Sequence, residues 1–389
     1  MPVYPTWAHL WRLPCWGSQW RHWFPFNAPG GRWTFSGRVA LYHGLPSLGL
    51  PRGSTILVPT YHQGVEIETL LAAGYRVRYY RLTDGLRIDL ADAERRLDRT
   101  VSALYVIHYF GYAQPLEPIR GFCDAHDLRL IEDCALSLFS RANGTWLGSV
   151  GDLALFSVYK MVPLPHGGFL VTKRAHRSIT LARAPFASTV VQSLDLLHNG
   201  LQASPWWRVE RWLTRASGWI KRVTRWDRGG TIGSGGALWD ARLLAHDASL
   251  WASWLMRFMD PEEIVARRRR NFTLLAARLR GDLPVPLPDP PPGVCPLFLP
   301  VLVADKRVFQ RELARLGVQS VDLWDAPHPS CPADLAAEVA GWRRHCLELP
   351  IHQELSPADI DRIAEAVHTV LRLTASLPPP VAACGGSRA

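Results

Sequence analysis

The stretch EDCALSLFSRANGTWLGSVGDLALFSVYK, from Glu132 to Lys160, decides the fold. It begins inside the apolar run LRLIEDCA (128–135), which predicts a strand with Asp133 at its carboxyl end. It closes just after DLALFSVY (152–159), which predicts a second strand, with Lys160 directly behind it. Side chains that follow parallel strands meet at one edge of a sheet, so we expect Asp133 and Lys160 to face the same crevice.

Apolar strands alternate with helices along most of the first half of the chain. The runs that predict strands are 54–59, 75–82, 102–110, 128–135, 152–159 and 167–173, and the runs that predict helices are 64–74, 89–97 and 116–127. Such alternation is typical of an α/β fold with a mostly parallel central sheet flanked by helices.

The pattern also predicts a division of the 389 residues into parts. We expect a tryptophan-rich N-terminal extension (1–34), a large α/β domain (35–245) and a smaller C-terminal α+β domain (246–375). The proline-rich stretch 283–293 predicts a linker or an edge loop. The tail 376–389 is rich in proline and glycine, which is typical of disorder.

Composition restricts the classes of function. The net charge of +10 favours anionic partners, although a solvated arginine surface explains it equally well. The seven cysteines show no ligand spacing, so we expect no metal site. The N-terminus lacks the pattern of a secretory signal, and no window approaches 18 uncharged apolar residues. The expected location is therefore the cytoplasm.

An aspartate and a lysine at one sheet edge suit pyridoxal 5′-phosphate (PLP) chemistry. A lysine amine holds the cofactor's aldehyde, and a carboxylate keeps its pyridine nitrogen protonated. Ser157 lies three residues before Lys160, and the turn FSGRVAL (35–41) precedes a predicted helix, so both suit a phosphate group. Taken singly, each feature has a structural explanation, because an aspartate after a strand commonly caps a turn and a lysine there is commonly solvated.

The ordered set of motifs resembles one family. SGRVAL, ILVPTYHQGVEIETLLAAG, VIHYFG, LIEDCA, GSVGDLALFS and K…GG follow the order and spacing of the DegT/DnrJ/StrS-type sugar aminotransferases. The resemblance covers roughly residues 35–175, returns weakly at 267–279 and 347–367, and is strongest to a branch with a short FSxxK segment. It implies the PLP-dependent transferase fold type I and a homodimer with shared active sites.

The resemblance also implies roles for single residues. Lys160 would be the Schiff-base lysine and Asp133 the partner of the pyridine nitrogen. Ser157 and the backbone of Gly37 and Arg38 would hold the phosphate. The substrate pocket would include His108 and Tyr109. The implied reaction takes an amino group, usually from glutamate, to a keto sugar carried on a nucleotide.

This sequence departs from the family pattern at three places. Leu136 stands where the family has a glutamine or histidine near the cofactor, and it can pack on the ring but cannot form a hydrogen bond. The position of the stacking aromatic residue is Gln63, so Tyr61 or His62 would have to replace it. His166 stands in place of an acidic residue before the paired glycines. Near the C-terminus, His352 either lines the pocket or is a structural histidine.

Two basic stretches suggest further partners. Residues 204–228 place tryptophans and aliphatic residues on one helical face and carry a net charge of +5. This combination suits an acidic membrane surface, a contact within the protein or across the dimer, or a lid over an apolar or lipid-linked substrate. The run RRRR (267–270) is interpreted as a solvated face or a phosphate contact across the dimer, with no nucleic acid.

We therefore expect a PLP-dependent aminotransferase acting on a keto sugar carried on a nucleotide or lipid, in the cytoplasm or at the inner face of the membrane. The alternative is a catalytically degenerate homologue that acts as a dimeric binding or membrane-associated protein. A PLP-dependent dehydratase is disfavoured, because a relative with that activity would be expected to lack Lys160.

Overall fold

The computed structural model describes residues 1–2, 4–7, 19–174, 181–201 and 241–375. Its strands are β1 to β13, in chain order Arg32–Thr34, Thr55–Pro59, Arg76–Tyr80, Leu82–Thr83, Arg87–Ile88, Val101–Ile107, Arg129–Asp133, Arg141–Ala142, Thr145–Trp146, Leu153–Ser157, Gly168–Thr172, Phe298–Leu302 and Cys346–Pro350. Its α-helices are α1 to α11, in chain order Gly37–Gly44, Val65–Ala72, Leu90–Arg95, Leu116–Ala125, Phe186–Leu201, Leu250–Leu255, Pro261–Leu279, Lys306–Arg315, Ala333–Glu338, Ala340–His345 and Pro357–Leu373.

A seven-stranded sheet forms the centre of the large domain, in the order β1-β11-β10-β7-β6-β2-β3. The five strands from β10 to β3 run parallel to one another, and β11 runs antiparallel to both of its neighbours, β10 and β1. Strands β2 and β10 are buried along their whole length, as expected for a sheet covered on both faces. The predicted α/β class and mostly parallel sheet are confirmed.

Helix boundaries follow local chemistry. The predicted N-cap Asp89 accepts a hydrogen bond from the backbone N–H of Asp92 at 2.9 Å and begins α3. Helix α2 begins after Gly64, whose φ of +105° turns the chain sharply away from β2. Because α2 leaves the carboxyl end of β2, its first turn lies at the edge of the sheet where the predicted site residues are.

The smaller C-terminal part packs helices against a two-stranded antiparallel sheet of β12 and β13. The predicted α+β character of this part is therefore found in the structure. The first residues of the chain lie against it: Thr6 donates from its backbone N–H to Glu354 at 2.8 Å. Trp7 donates from its indole to the carbonyl of Pro163, in the loop after Lys160, at 2.9 Å.

Two expectations need correction. Residues 32–34, assigned to the N-terminal extension, form the edge strand β1 of the large sheet. The run 267–270 lies in α7 but is not a solvated face throughout. Arg268 is 1% exposed and donates to the backbone carbonyl of Leu297 at 2.9 Å, because i, i+3 and i, i+4 spacing turns one arginine of four toward the core.

None of the helices in the described part of the chain is long and apolar enough to cross a lipid bilayer. The predicted membrane-contacting stretch 204–228 and the predicted tail 376–389 lie outside the described residues.

Candidate active site

Asp133 and Lys160 lie at the ends of two neighbouring strands, Asp133 as the last residue of one and Lys160 just beyond the other. Asp133 ends β7, and β7 pairs in parallel with β10, with Leu155 opposite Asp133. Strand β10 ends at Ser157, and one short 3-10 turn then places Lys160 beyond the same edge. The sheet thus brings Asp133, Ser157 and Lys160 together, as the motif spacing predicted.

Asp133 is 7% exposed, and both of its oxygens accept hydrogen bonds. The phenol of Tyr105 donates to Oδ2 at 2.6 Å, and the backbone N–H of Ala135 donates to Oδ1 at 2.8 Å. Burial raises the pKa of this carboxyl, although the two hydrogen bonds and the charge of Lys160 oppose the rise. The side chain is therefore held in one orientation and can serve as a fixed carboxylate.

Lys160 is 6% exposed, and burial lowers the pKa of its amine. The charges of Asp133 and Glu66 raise that pKa again, and the charge of Arg38 lowers it. Within the part of the chain that the structure describes, no hydrogen bond or ion pair holds the Lys160 ammonium. A buried amine with carboxyls nearby but no fixed partner is suited to react, since the neutral amine is the nucleophile.

Glu66 belongs to the same cluster and was not predicted from the sequence. It lies in the first turn of α2, is 9% exposed, and accepts a hydrogen bond at Oε1 from the backbone N–H of Gln63 at 2.8 Å. Burial, and then the charge of Asp133, raise its pKa to about 7. The one signal in the sequence is its place, just after the carboxyl end of a buried strand.

A cradle for a phosphate group lies beside the lysine, at the N-terminus of α1. The hydroxyl oxygen of the N-cap residue Ser36 is buried and has no hydrogen-bond partner among the described residues. A Cβ on Gly37 would lie 2.6 Å from the hydroxyl oxygen of Ser157, and one on Gly168 would lie 2.2 Å from the backbone of Ser36. Glycine at these two positions lets α1 approach the Ser157 side chain and lets β11 approach the Ser36 backbone, which leaves helix N–H groups and hydroxyls for an anion.

These observations fit PLP. Among the residues that the structure describes, the buried amine of Lys160 has no partner and interacts electrostatically with the fixed carboxylate of Asp133, and the buried hydroxyl of Ser36 at the start of α1 has no partner either. The predicted residue Arg38 is half-buried, and its charge lowers the pKa values of both Lys160 and Tyr159. As the second residue of α1, Arg38 adds a positive charge to the helix end that begins at Gly37.

His108 follows β6 at the same edge, and both of its ring nitrogens have partners within the protein. Its Nδ1 accepts from the backbone N–H of Gln114 at 3.0 Å, so Nε2 carries the proton and donates to Glu132 Oε2 at 2.9 Å. Glu132 also accepts from the backbone of Gly148 and Val150 at 2.8 and 2.9 Å. Burial alone would raise the pKa of Glu132, but these hydrogen bonds lower it.

The atoms of His108, Glu132 and Cys134 lie within 4.8 Å of one another, a spacing that metal ligands can have. However, both nitrogens of His108 and both oxygens of Glu132 already have hydrogen-bond partners. Burial also raises the pKa of the Cys134 thiol well above its usual value, so it is not a thiolate. We assign no metal to this cluster.

The residues after β2 pack into the interior. His62 is fully buried, its Nδ1 donates to the carbonyl of Pro59 at 3.0 Å, and its Nε2 accepts from the backbone N–H of His328 at 3.0 Å. Burial lowers its pKa to about 3, so it is neutral. Tyr109 donates to the carbonyl of Tyr61 at 2.6 Å, and the two rings are 5.7 Å apart.

The remaining predicted residues are also buried. His166 stacks on Phe35 at 4.6 Å, accepts at Nε2 from the backbone of Ser249 at 2.9 Å, and has a pKa lowered by burial to about 4. His352 Nε2 bonds the carbonyl of Pro2 at 3.1 Å. Leu136 is 2% exposed and packs in the core. Sequence spacing placed these residues near the edge but could not give the direction of their side chains.

Residues 33–181 match the model of the DegT/DnrJ/EryC1/StrS aminotransferase family. The match covers less than half of the chain and includes Gly37, Asp133, Ser157 and Lys160. The family resemblance drawn from the motifs is confirmed over these residues.

Individual relatives agree with the family match. The GDP-perosamine synthase of Vibrio cholerae is 29% identical over 140 residues, which are 35% of this chain and 38% of that protein. The dTDP-4-dehydro-2,3,6-trideoxy-D-glucose 4-aminotransferase of Saccharopolyspora spinosa is 29% identical over 350 residues, or 85% of this chain and 81% of that protein. The chain thus spans less than two fifths of the GDP-perosamine synthase of Vibrio cholerae, and the same holds for the GDP-perosamine synthase of Escherichia coli O157:H7, at 38% of that protein.

The fold recurs in solved structures. NtdA from Bacillus subtilis, solved with the cofactor pyridoxamine phosphate bound, superposes with a TM-score of 0.57 at 17% identity. The superposition covers 89% of this chain and 74% of that one. At this identity the similarity establishes the fold, and it agrees with the predicted fold type of PLP-dependent transferases.

Proposed function

Because residues 33–181 match the DegT/DnrJ/EryC1/StrS aminotransferase family and the chain has the fold of a PLP-type enzyme, we propose that it is a PLP-dependent aminotransferase. The observation that carries the proposal is the buried amine of Lys160, which has no partner in the described part of the chain and lies at the same sheet edge as the hydrogen-bonded carboxylate of Asp133.

Bound PLP would supply an aldehyde that reacts with amines and a ring that accepts electrons. Lys160 is the group that would hold the aldehyde and later move a proton between substrate carbon and cofactor. Asp133, oriented by Tyr105 and Ala135, would keep the pyridine nitrogen protonated. The α1 N-terminus at Gly37 and the Ser157 hydroxyl would bind the phosphate.

The acceptor that we propose is a keto sugar carried on a nucleotide or a lipid, with glutamate as the amino donor. The relatives support the sugar, since their names specify GDP-, UDP- and dTDP-linked sugars. The predicted membrane contact through 204–228 at the cytoplasmic face remains part of this proposal.

We also propose a homodimer with active sites shared between the two chains. Two large apolar side chains of the described surface support an interface, because Phe186 and Leu250 are exposed by 83% and 73%. Exposed side chains of this size commonly mark contact surfaces.

The test is the absorbance spectrum of the purified protein with added PLP, followed by addition of glutamate. The proposal predicts a near-visible band that depends on Lys160 and that glutamate bleaches. The Lys160→Ala variant should show only free PLP. A wild-type spectrum identical to the free-PLP spectrum of Lys160→Ala would support the degenerate homologue instead, whereas a Lys160-dependent band that glutamate leaves unchanged would point to another donor.

A further inference from the structure

The backbone on either side of Lys160 has a large part in orienting its side chain, because among the described residues no hydrogen bond or ion pair holds the ammonium. On the N-terminal side, β10 pairs with β11, and the N–H of Val158 donates to the carbonyl of Gly167 at 2.9 Å. On the C-terminal side, Lys160 ends a 3-10 turn and Met161 follows directly. The direction of the lysine side chain therefore depends on how Met161 is held.

Two side chains donate to the backbone carbonyl of Met161. Nη2 of Arg268 lies 3.2 Å from the carbonyl oxygen, and Nε2 of Gln353 lies 3.1 Å from it. Arg268 belongs to α7 and Gln353 to the loop between β13 and α11, so the donors come from separate elements of the C-terminal half. Met161 is 1% exposed, and a buried carbonyl needs such donors because bulk water does not reach it.

The two donors are also bonded to each other. Nε of Arg268 donates to Oε1 of Gln353 at 2.8 Å. A guanidinium only donates and a backbone carbonyl only accepts, so the Gln353 amide has one possible orientation, with its oxygen toward Arg268 and its nitrogen toward Met161. These three hydrogen bonds form a closed set, the Met161 clamp.

Arg268 is anchored on the side away from Met161. Its Nη1 donates to the carbonyl of Leu297 at 2.9 Å and to that of Pro296 at 3.4 Å, just before β12. Burial lowers the pKa of Arg268 to about 10, so the guanidinium remains charged at neutral pH. Its planar fork of N–H donors can serve several carbonyls at once, which the compact ammonium of a lysine does less well.

We propose that Arg268 and Gln353 are positioning residues for Lys160: they fix the carbonyl of Met161 and thereby the turn that orients the lysine amine. Both contact the peptide that follows Lys160 rather than the amine itself. The inference rests on the proposed function for its purpose, since orientation matters for a reaction at that amine. The clamp itself does not depend on any cofactor.

The neighbouring Arg269 provides a matched comparison. It also donates to backbone carbonyls, those of Pro291 and of Val294, the latter at 3.0 Å. Neither carbonyl belongs to the loop after Lys160. Arg268 and Arg269 thus both join α7 to distant backbone, and of the two only Arg268 reaches the residue next to the lysine.

The experiment compares Arg268→Met and Gln353→Met with the control Arg269→Met. Each change replaces hydrogen-bonding groups by an unbranched apolar side chain. Two quantities are measured: the affinity for pyridoxamine phosphate, which needs no bond to a lysine, and the rate at which PLP becomes attached to Lys160, trapped with borohydride.

We expect attachment to slow about tenfold in Arg268→Met and about threefold in Gln353→Met, because a misplaced nucleophile loses rate. The affinity for pyridoxamine phosphate should change less than about twofold, since the phosphate cradle and Asp133 are untouched. Arg269→Met should match the wild type in both quantities. A merely structural role of Arg268 would not separate the two quantities in this way.

A second measurement needs no cofactor. The chain has four lysines, so carbon-13 labelling of the lysine ε-carbons gives four resonances, and Lys160→Ala identifies that of Lys160. We expect this resonance to move toward the position of an exposed lysine in Arg268→Met and Gln353→Met. It should stay in place in Arg269→Met, and the Lys306 resonance should stay in place in all variants.

The inference is overturned if the clamp variants weaken pyridoxamine phosphate binding as much as they slow attachment, or if they attach PLP as fast as Arg269→Met. Absence of attachment in the wild type overturns the proposed function instead. The Lys160 resonance then decides the inference alone, and a resonance that moves in neither clamp variant contradicts it. If Arg268→Met does not fold, Gln353→Met, which leaves the guanidinium in place, decides by the same criteria.

Discussion

Two lysines of this chain are buried to nearly the same extent but lie in opposite settings. Lys160 is 6% exposed and Lys306 is 5% exposed. Lys306 begins α8 in the small domain and forms an ion pair with Asp322. Lys160 lies near Asp133 and Glu66, yet among the described residues it forms no ion pair or hydrogen bond.

The difference shows how a structural buried charge is distinguished from a reactive one. A buried ion is stable when a partner neutralises it, and removing the partner leaves an uncompensated charge. Lys306 meets that condition. Lys160 has no such partner among the described residues, and burial lowers the pKa of its amine. A lower pKa favours the neutral amine, which is the form that acts as a nucleophile. His62 and His108 resemble Lys306 in this respect: both ring nitrogens of each form hydrogen bonds within the protein, which is typical of structural residues.

The largest expected effect is on the rate of the reaction with glutamate, and it concerns Asp133, the carboxyl near Lys160. We expect Asp133→Ala to slow the bleaching of the PLP band by glutamate by about 10²–10³, because a preorganised charge at the reacting group is lost. Asp322→Ala, the matched change beside Lys306, should leave the rate unchanged. Stopped-flow absorbance measures both. Equal rates in Asp133→Ala and the wild type would remove Asp133 from the site.

The lysines themselves should differ in their contribution to stability. We expect Lys306→Ala to lower the free energy of unfolding by about 2 kcal/mol, less than for a fully buried pair because Asp322 is partly exposed. Lys160→Ala should leave the free energy of unfolding unchanged or raise it, since it removes a buried charge without a fixed partner. Urea unfolding of the cofactor-free proteins measures this. The reverse order would show that Lys160 is the structural lysine.

The phosphate cradle gives a smaller effect. We expect Gly37→Ala to weaken PLP binding about tenfold, since the new Cβ would lie 2.6 Å from the hydroxyl oxygen of Ser157. Gly121→Ala is the control, because a Cβ there meets no atom within 4 Å. Titration of each protein with PLP gives the two affinities. Unchanged affinity in Gly37→Ala would place the phosphate elsewhere.

The smallest effect concerns a residue near the lysine loop that the sequence placed in the pocket. Burial lowers the pKa of His166 to about 4, so it stays neutral above about pH 5. We expect His166→Asn to shift the pH profile of PLP attachment by less than about 0.3 unit, within ordinary variation of an unperturbed site. A shift of about one unit near neutral pH would mean that His166 titrates in the site.

Much of the site could be predicted because it depends on strand ends and glycines. Asp133, Ser157 and Lys160 follow buried apolar runs, and parallel strands bring such positions to one edge. Gly37 opens a helix at the same place. The positions of these residues at the ends of strands and at the start of a helix are therefore enough to predict that they lie at one edge of the sheet.

Glu66 and the histidines could not be assigned in the same way. Glu66 fits an amphipathic helix, and nothing in its spacing shows that the first turn of α2 faces the crevice. His108 and His166 lie near the predicted edge, but their orientation depends on partners distant in sequence, Glu132 and Ser249. The burial of Arg268 could not be predicted for the same reason. A run of four arginines suggests a solvated face, but the packing of α7 buries this one.

The most direct test of the central claim is to locate the PLP-derived label among the lysines. The chain has only four, Lys160, Lys173, Lys221 and Lys306, so borohydride reduction followed by peptide mass spectrometry gives an unambiguous result. The account predicts a single label, on Lys160, that is absent from Lys160→Ala. The account would be contradicted by a label on Lys306, by a label on the exposed Lys173, or by the absence of any label on the wild-type chain.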